Sequence, residues 1–392
     1  MKKLSLLTIF LAIGGILCAQ STWLGQSTTN TQNYISTGMP ILLIAPDAVS
    51  SGMGDAGVAS APDAYSAHWN NAKFAFTESL TGVSTTFTPW LHNLGAGDMN
   101  LLYLGGYHRL GSRGTVAASL TYFSLGDIDM TDIEGNKVTD LHPNEFAVDA
   151  TYALKITDHL SLGATGRFMR SDLTNGQTIN DGSTNSTTRA ANSLAADVGL
   201  YYQNDIDKEQ SFALGAFISN LGAKLSYSDD NNNREFLPAN LRVGGRYTNK
   251  IDEYNTLSVL LDLNKLLVPT PHFRTYSYDS IQSLADYNRI SPVAGALQSF
   301  ADAPGGLSEE LQEIQISAGA EYWYAETFAV RAGYFFEHQN KGGRQYATVG
   351  LGLHYNIFSF DFSYLIPTAR LSTNPLSNTI RVQLSIDFKP EE

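Results

Sequence analysis

Ile380-Arg381-Val382-Gln383-Leu384-Ser385-Ile386-Asp387-Phe388 alternates apolar and polar residues at every step and ends on an aromatic. Strand side chains alternate faces with period two, so Ile380, Val382, Leu384, Ile386 and Phe388 share one face and Arg381, Gln383, Ser385 and Asp387 the other. A half-buried soluble strand and a strand of a membrane barrel both read this way. What separates them is whether the rest of the chain repeats the alternation and is exported, since an outer-membrane barrel is apolar outside and polar inside.

Upstream, the same alternation recurs. It predicts about 14 strands, within the range for membrane barrels, at 79–90, 99–109, 113–126, 144–156, 159–171, 191–204, 210–219, 239–249, 254–264, 313–325, 328–337, 344–355, 358–366 and 379–388. Six connections are short, such as Leu110-Gly111-Ser112, Thr157-Asp158, Glu326-Thr327 and Asn356-Ile357, and they take every second place. The others are longer, above all Lys265 to Gln312. Short turns on one side and long loops on the other match the periplasmic and external faces of an outer-membrane barrel.

Parity assigns the faces. Phe358, Phe360, Phe362 and Tyr364 are expected toward lipid, opposite Ser359, Asp361 and Ser363; Val330, Ala332, Tyr334 and Phe336 join them, beside inward Arg331 and Glu337. The lumen side collects both signs of charge, among them Asp149, Arg167, Asp197, Arg242, Asp262 and Arg381. This mixture predicts a cross-lumen ion-pair network holding a plugged barrel rather than a selective pore.

Met1-Lys2-Lys3, the apolar run Leu4 to Leu17 and the small Ala19 have the form of a secretory signal peptide over residues 1–19. Leu17 before the single cysteine, Cys18, is too bulky for a lipoprotein cleavage site, so a lipidated Cys18 is the weaker alternative. Cleavage after Ala19 leaves no disulfide, thiolate nucleophile or Cys-ligated metal. No later stretch approaches the roughly 18 apolar residues of a membrane helix, so any span is β. Net charge is −13, and −15 without Lys2 and Lys3, which disfavours nucleic acid as a partner. The expected fold is thus all-β and transmembrane: an antiparallel outer-membrane β-barrel over 79–392, with an N-terminal plug or hatch segment at 20–78 and long external loops carrying short helices.

Within that N-terminal segment, Pro46-Asp47-Ala48-Val49-Ser50-Ser51 recurs as Pro62-Asp63-Ala64-Tyr65-Ser66-Ala67, and in both copies the Asp is placed to cap a turn of helix. Gly52-Met53-Gly54-Asp55-Ala56-Gly57 matches the dinucleotide fingerprint but lacks the βαβ setting that the fingerprint requires. Its glycines are read instead as permitting tight backbone packing in a narrow lumen. In the longest loop, Ile281, Leu284 and Ala285, then Val293, Leu297, Phe300 and Ala301, recur at helical spacing and predict two short helices.

Catalytic and metal signatures are weak. The eight histidines lack zinc spacing, and no Gly-x-Ser-x-Gly elbow is present. A lipid hydrolase would have to recruit His108 or His354 as base on a barrel face. Asp229-Asp230-Asn231-Asn232-Asn233 reads as a solvated loop tip rather than a calcium loop, lacking its glycine and distal glutamate. No cofactor, metal or catalytic residue is assigned.

The stretch from Pro46-Asp47-Ala48 through Gly52-Met53-Gly54-Asp55-Ala56-Gly57-Val58-Ala59, then Pro62-Asp63-Ala64 and His68-Trp69-Asn70-Asn71-Ala72-Lys73, resembles the N-terminal signature of the PorV family. Pro238-Ala239-Asn240-Leu241-Arg242-Val243-Gly244 and Leu261 to Pro271 resemble that family too. Asn71 departs from the Pro that the wider FadL-like group often carries there. The resemblance implies a non-enzymatic FadL-like barrel of the type IX secretion system. Such proteins bind the C-terminal signal domain of cargo at the secretion translocon and pass it to a sortase-like attachment complex, where cargo is joined to lipopolysaccharide. Two alternatives stay open: a FadL-like channel for small hydrophobic molecules, and a lipopolysaccharide deacylase. The carrier reading puts cargo contacts on the longest external loop, with Phe273, Tyr276, Tyr278, Ile281, Leu284, Tyr287, Leu297 and Phe300 as candidates. It makes Gly52, Met53, Gly54, Asp55, Gly57, Trp69 and Asn70 the plug motif.

Overall fold

The computed structural model describes residues 34–90, 99–131, 137–174, 189–227, 234–270, 286–368 and 379–389. In chain order, β1 (Thr81–Pro89), β2 (Asn100–Leu110) and β3 (Gly114–Ser124) precede a two-stranded ribbon, β4 (Ile128–Thr131) with β5 (Lys137–Leu141). Next come β6 (Asn144–Lys155), β7 (Leu160–Asp172), β8 (Ala191–Asp205), β9 (Gln210–Gly222) and a second ribbon, β10 (Leu225–Ser226) with β11 (Arg234–Glu235). The chain continues through β12 (Asn240–Lys250), β13 (Asn255–Leu266), β14 (Ile314–Tyr324), β15 (Phe328–Phe336), β16 (Gln345–Tyr355), β17 (Phe358–Pro367) and β18 (Ile380–Phe388). Apart from the ribbons, these strands form one closed barrel of 14 antiparallel neighbours. Each boundary lies within three residues of the alternation-based span.

The terminal strand closes the barrel. β18 pairs with β1 from Thr81↔Phe388 to Phe87↔Val382, and with β17, where Phe360 faces Leu384 and Asp361 faces Gln383. Closure leaves no free edge, the condition for a β structure in lipid. Polarity is inverted relative to a soluble sheet: Phe358, Phe360, Val330 and Leu384 are exposed, whereas Arg331, Asp361 and Arg381 are at most 2% exposed. Apolar side chains turned outward in register around a closed wall require an apolar solvent, so this face meets the bilayer. Among the described residues no helix is long and apolar enough to cross a membrane.

Before β1 lie two helical turns, α1 (Ala48–Gly52) and α2 (Ser66–Trp69), and 3-10 turns at Pro40–Leu43 and Asn71–Phe76. They contact inward positions of the wall: Ser51 Oγ lies 2.7 Å from Ser363 Oγ, and the Gly57 N–H donates to Asp262 Oδ2 at 2.7 Å. The segment runs the length of the lumen. Met39, Ile41 and Leu42 pack with Trp90, Leu101 and Phe123 at the long-loop end, and Phe74 and Phe76 with Tyr107 and Tyr201 toward the short-turn end.

The longest loop carries α3 (Pro292–Gln298) and α4 (Leu307–Gln312). α3 coincides with the second helical pattern read from the sequence; residues 281–285 of the first lie outside the described residues. α4 was not expected. Its six residues are too few to display a helical period in sequence.

Candidate functional site

Asp47 organises the interior segment. Its carboxylate accepts from the Ser50 N–H at 2.6 Å, capping α1, and its other oxygen accepts from Trp69 Nε1 at 2.7 Å. The second copy of the motif behaves differently. Asp63 accepts from the Tyr65 N–H at 3.0 Å and Ser66 Oγ at 3.2 Å, whereas α2 begins after Tyr65 without a side-chain cap. The expected helix cap therefore holds for Asp47 and becomes a local turn at Asp63, because two residues, Ala64 and Tyr65, separate the second Asp from its helix whereas Asp47 adjoins its own.

The glycine motif packs as the sequence suggests. Gly54 takes φ +69°, where a side chain would strain the backbone and strike the main chain of Tyr334. A Cβ on Gly57 would enter the Trp69 ring. Gly52 lies against Gly350, and Met53, 1% exposed, fills the space left by Gly319 and Gly333. Asp55 accepts from the Tyr346 hydroxyl at 2.5 Å. Asn70 donates to the Val58 and Leu200 carbonyls at 3.1 and 3.0 Å and accepts from the Ala72 N–H. Lys73, fully buried, donates to Gly57 O at 3.0 Å and Ser60 Oγ at 2.8 Å. The plug motif is thus one connected set of contacts.

Wall residues grip this set, and their charges do not pair across the lumen as the sequence reading expected. Arg167 bonds Asp149 at 2.6 Å and Asp197 at 3.0 Å, on the strands either side of it. Arg331 bonds Glu321 and Asp361, both at 2.7 Å, along β14, β15 and β17. Other wall charges turn to the interior backbone: Arg242 donates to His68 O at 2.7 Å and Arg381 to Ala45 O at 2.9 Å, while Asp262 accepts from Gly57 and Val58. The physical reason is occupancy. With the centre filled, a charge finds its nearest partner beside it on the wall or on the segment, and a span across the lumen is blocked.

Sequence reasoning missed the wall glycines that accept the segment. Gly163, Gly199, Gly215, Gly319 and Gly333 stand at inward positions, and a Cβ on any of them would collide with residues 53–72. Glycine at inward parity, where neighbouring strands carry Ser, Asp or Arg, was the available signal. Toward the short-turn end the filling stops, leaving a cavity of about 750 Å³ whose walls include Asp63, Phe76, Arg246, Trp323 and His354, with Val49 and Met53 also among its lining residues.

The external loop forms a second constellation. Lys224 lies 3.7 Å from the Phe236 ring centre and donates to the Tyr287 and Asn288 carbonyls at 3.2 Å. Burial, reinforced by the Arg234 guanidinium, pulls its ammonium down to about 8. Phe236 and Tyr287 meet edge to face at 5.3 Å, and the Tyr287 hydroxyl donates to Pro269 O at 3.1 Å. Burial, with Asp302 nearby, pushes that hydroxyl up to about 12. Beside them is a cleft of about 270 Å³ lined by Pro269, Tyr287, Ile290, Leu297 and Ala301. Of the loop candidates, Tyr287 and Leu297 line this cleft and Phe300 lies near Lys265; Phe273, Tyr276, Tyr278, Ile281 and Leu284 lie outside the described residues.

The candidate bases do not assemble a site. His108 Nδ1 lies 2.7 Å from Thr81 Oγ1 at the exposed short-turn end of β2, and the His354 ring meets Trp323 at a tilt, 4.5 Å between centres. Among the described residues, no three His, Cys, Asp or Glu side chains gather as metal ligands.

Residues 27–273 match the family model for "Type IX secretion system protein PorV". Among solved structures, the toluene transporter TodX of P. putida superimposes with TM-score 0.51 at 10% identity, covering 88% of this chain and 99% of its own. The Ralstonia pickettii toluene transporter TbuX gives 0.48 at 12%, covering 88% and 98%, and a Pseudomonas aeruginosa FadL homologue 0.45 at 10%, covering 91% and 100%. At these identities the likeness to TodX is one of fold alone. No curated protein matches the chain.

Proposed function

The chain belongs to the PorV family of type IX secretion system proteins, and from that premise we propose that it carries cargo at the outer membrane rather than conducting a solute. Membership places it in the outer membrane and among secretion proteins, not enzymes. In this reading residues 20–78 are a fixed plug in the barrel of residues 79–392. The C-terminal signal domain of exported cargo docks on the external loop as it leaves the translocon, and a sortase-like attachment complex receives it next, at the lipopolysaccharide surface.

The filled lumen is the observation that carries this proposal. A channel for small hydrophobic molecules needs an apolar path, yet the segment from Met39 to Phe76 occupies the lumen and is tied to the wall by buried hydrogen bonds such as Asp262 to Gly57 and Val58, and Arg242 to His68, and the cavity it leaves toward the short-turn end is lined by Asp63, Arg246, Glu321 and Asp361. The chain's largest investment outside the wall lies instead between β13 and β14, where Tyr287 offers a rigid aromatic beside an apolar cleft. Deletion of residues 275–305 in a barrel that still inserts should abolish co-purification of cargo. Undiminished cargo capture would refute the docking site, and uptake of toluene-sized solutes into proteoliposomes would favour the channel.

A further inference from the structure

α3 and α4 are built inside out. α3 buries Gly295 and Ala296, with Ser299 buried at its C-cap, and exposes Val293 and Leu297 at 59% and 72%, followed by Phe300, just past its end, at 50%. Val293 and Leu297 sit at i and i+4 on one face of the helix, and Phe300 follows in the turn after it. α4 repeats the inversion more sharply. Glu309 and Glu310 are buried, while Leu307 and Leu311 are 76% and 59% exposed. In water a helix places its leucines inward and its glutamates outward, so both helices are arranged for surroundings less polar than water.

Their seats lie on the outer face of the wall. α3 packs through Ala296 on Leu241 and Leu221 at the external ends of β12 and β9. Leu241 has the same parity as the exposed Val243, so the helix covers the upper edge of the lipid-facing band. A Cβ on Gly295 would stand 2.9 Å from Pro269 Cγ and 3.0 Å from the Phe236 ring, so the helix rests close to its support. α4 is held through Lys265, which shares parity with the exposed Leu261 and Leu263 and bonds Glu310 at 3.1 Å and Glu313 at 2.6 Å. Lys341 completes the clamp, bonding Glu309 and Glu313 at 2.8 Å. The one ammonium at outward parity above Leu263 is thereby neutralised, which lowers the desolvation penalty of placing it beside lipid.

We propose that α3 and α4 are seated in the outer leaflet of the bilayer, as a lipid-facing extension of the wall over β9, β12, β13 and β14. Continuity assigns the occupant. Exposed Val293, Leu297 and Phe300 carry on from Val243, Leu261 and Leu263, which already face acyl chains. Helices with a wide apolar face lie in the interface plane and bury that face shallowly among headgroups and upper acyl chains. The assignment stands whether or not the loop binds cargo. It gives Leu297 and Phe300 to lipid, Leu297 at the border of the cleft it shares with Tyr287, and leaves Tyr287 for a protein partner.

The single cysteine of the chain lies in the signal region, so introduced cysteines report alone. Leu297→Cys and Leu311→Cys, each carrying a polarity-sensitive dye, are reconstituted in phosphatidylcholine vesicles whose acyl chains bear a spin label near the carbonyl. Leu263→Cys serves as the wall reference and Arg289→Cys as the aqueous one. Both test positions should be quenched by the lipid label to the degree seen at 263 and shielded from aqueous iodide. Quenching by iodide as at 289, with none from lipid, overturns the proposal and leaves a partner protein as the occupant of the ridge. Heat-modifiable gel migration of every variant establishes that the barrel is folded before either result is read.

Discussion

The segment inside the lumen and the helices on the external rim are both short, irregular additions to a regular wall. They are built for opposite surroundings. Inside, fully buried Asp47, Asn70 and Lys73 meet donors or acceptors at 2.6–3.1 Å, and glycines on both partners let the backbones approach. On the rim, buried glutamates bond lysines while leucines stand exposed. In each place the charged groups named here are bonded within the protein, and the wall's own inversion continues into what is attached to it. What differs is tolerance. Where the interior segment meets the wall glycines, backbone abuts backbone and little can relax, whereas a ridge with one open face can.

Small-to-large replacement at the wall glycines breaks the comparison most severely. Gly333→Val drives a side chain into Met53 and Gly54, and overpacking of this kind costs about 1–3 kcal/mol where neighbours can shift. Here the obstacle is backbone on both sides, so loss of assembly is expected. Gly166 is the control, since a Cβ there meets nothing within 4 Å. Heat-modifiable migration in outer-membrane fractions should vanish for Gly333→Val and persist for Gly166→Val; equal assembly of the two would show that the interior segment is displaceable.

Removing a buried charge comes next. Arg331→Met leaves Glu321 and Asp361 without their shared cation, a change worth roughly 3–5 kcal/mol for buried pairs. Urea titration in vesicles, followed by tryptophan fluorescence, should show the midpoint fall. A midpoint unchanged from the parent protein would mean that cavity water already screens the pair.

The duplicated motif allows a finer test within the interior. Asp47→Ala forfeits a helix cap, about 1 kcal/mol, and orphans the Trp69 indole for a further ~1–3 kcal/mol. Asp63→Ala removes a turn contact and a favourable charge near Lys73, but no helix cap and no indole partner. The same titration should place Asp47→Ala well below Asp63→Ala; the reverse order would reassign the organising role to the second copy.

How much of this was legible in sequence depends on which physical constraint each residue answers to. Strand alternation answers to the wall alone, so parity predicted the exposure of Phe358 and Phe360, with Phe362 and Tyr364 half-buried on the same face, and the terminal strand was read correctly as part of a barrel. β9 runs three residues beyond its expected end because Asn220, at φ 60°, continues the pairing past a break in alternation, opposite a register shift in β8. The ribbons β4/β5 and β10/β11 are too short to carry a period. Arg167, Asp197 and Arg331 were placed on the correct face but expected to pair across the lumen, since parity reveals which side a residue faces and says nothing of what fills that side. Leu297 and Phe300 illustrate the same limit outside: helical spacing located α3, but which face is buried is fixed by Leu221 and Leu241, distant in the chain.

The smallest expected effect is at that ridge. Leu297→Gln should leave the barrel's urea midpoint within about 0.5 kcal/mol of the parent, because an exposed side chain with one open face makes few contacts to lose. If the helix is seated in lipid, however, the amide must be desolvated or must lift the helix toward water, and the second is easier for a short element seated through Gly295 and Ala296. Cleavage after the exposed Arg289 by trypsin should then quicken a few-fold in vesicles for Leu297→Gln and remain at the parent rate for Leu297→Met, which keeps the apolar surface. Equal rates for the two variants would separate the ridge from the wall beneath it, and the inversion of α3 would have to be explained by a protein surface instead of the bilayer.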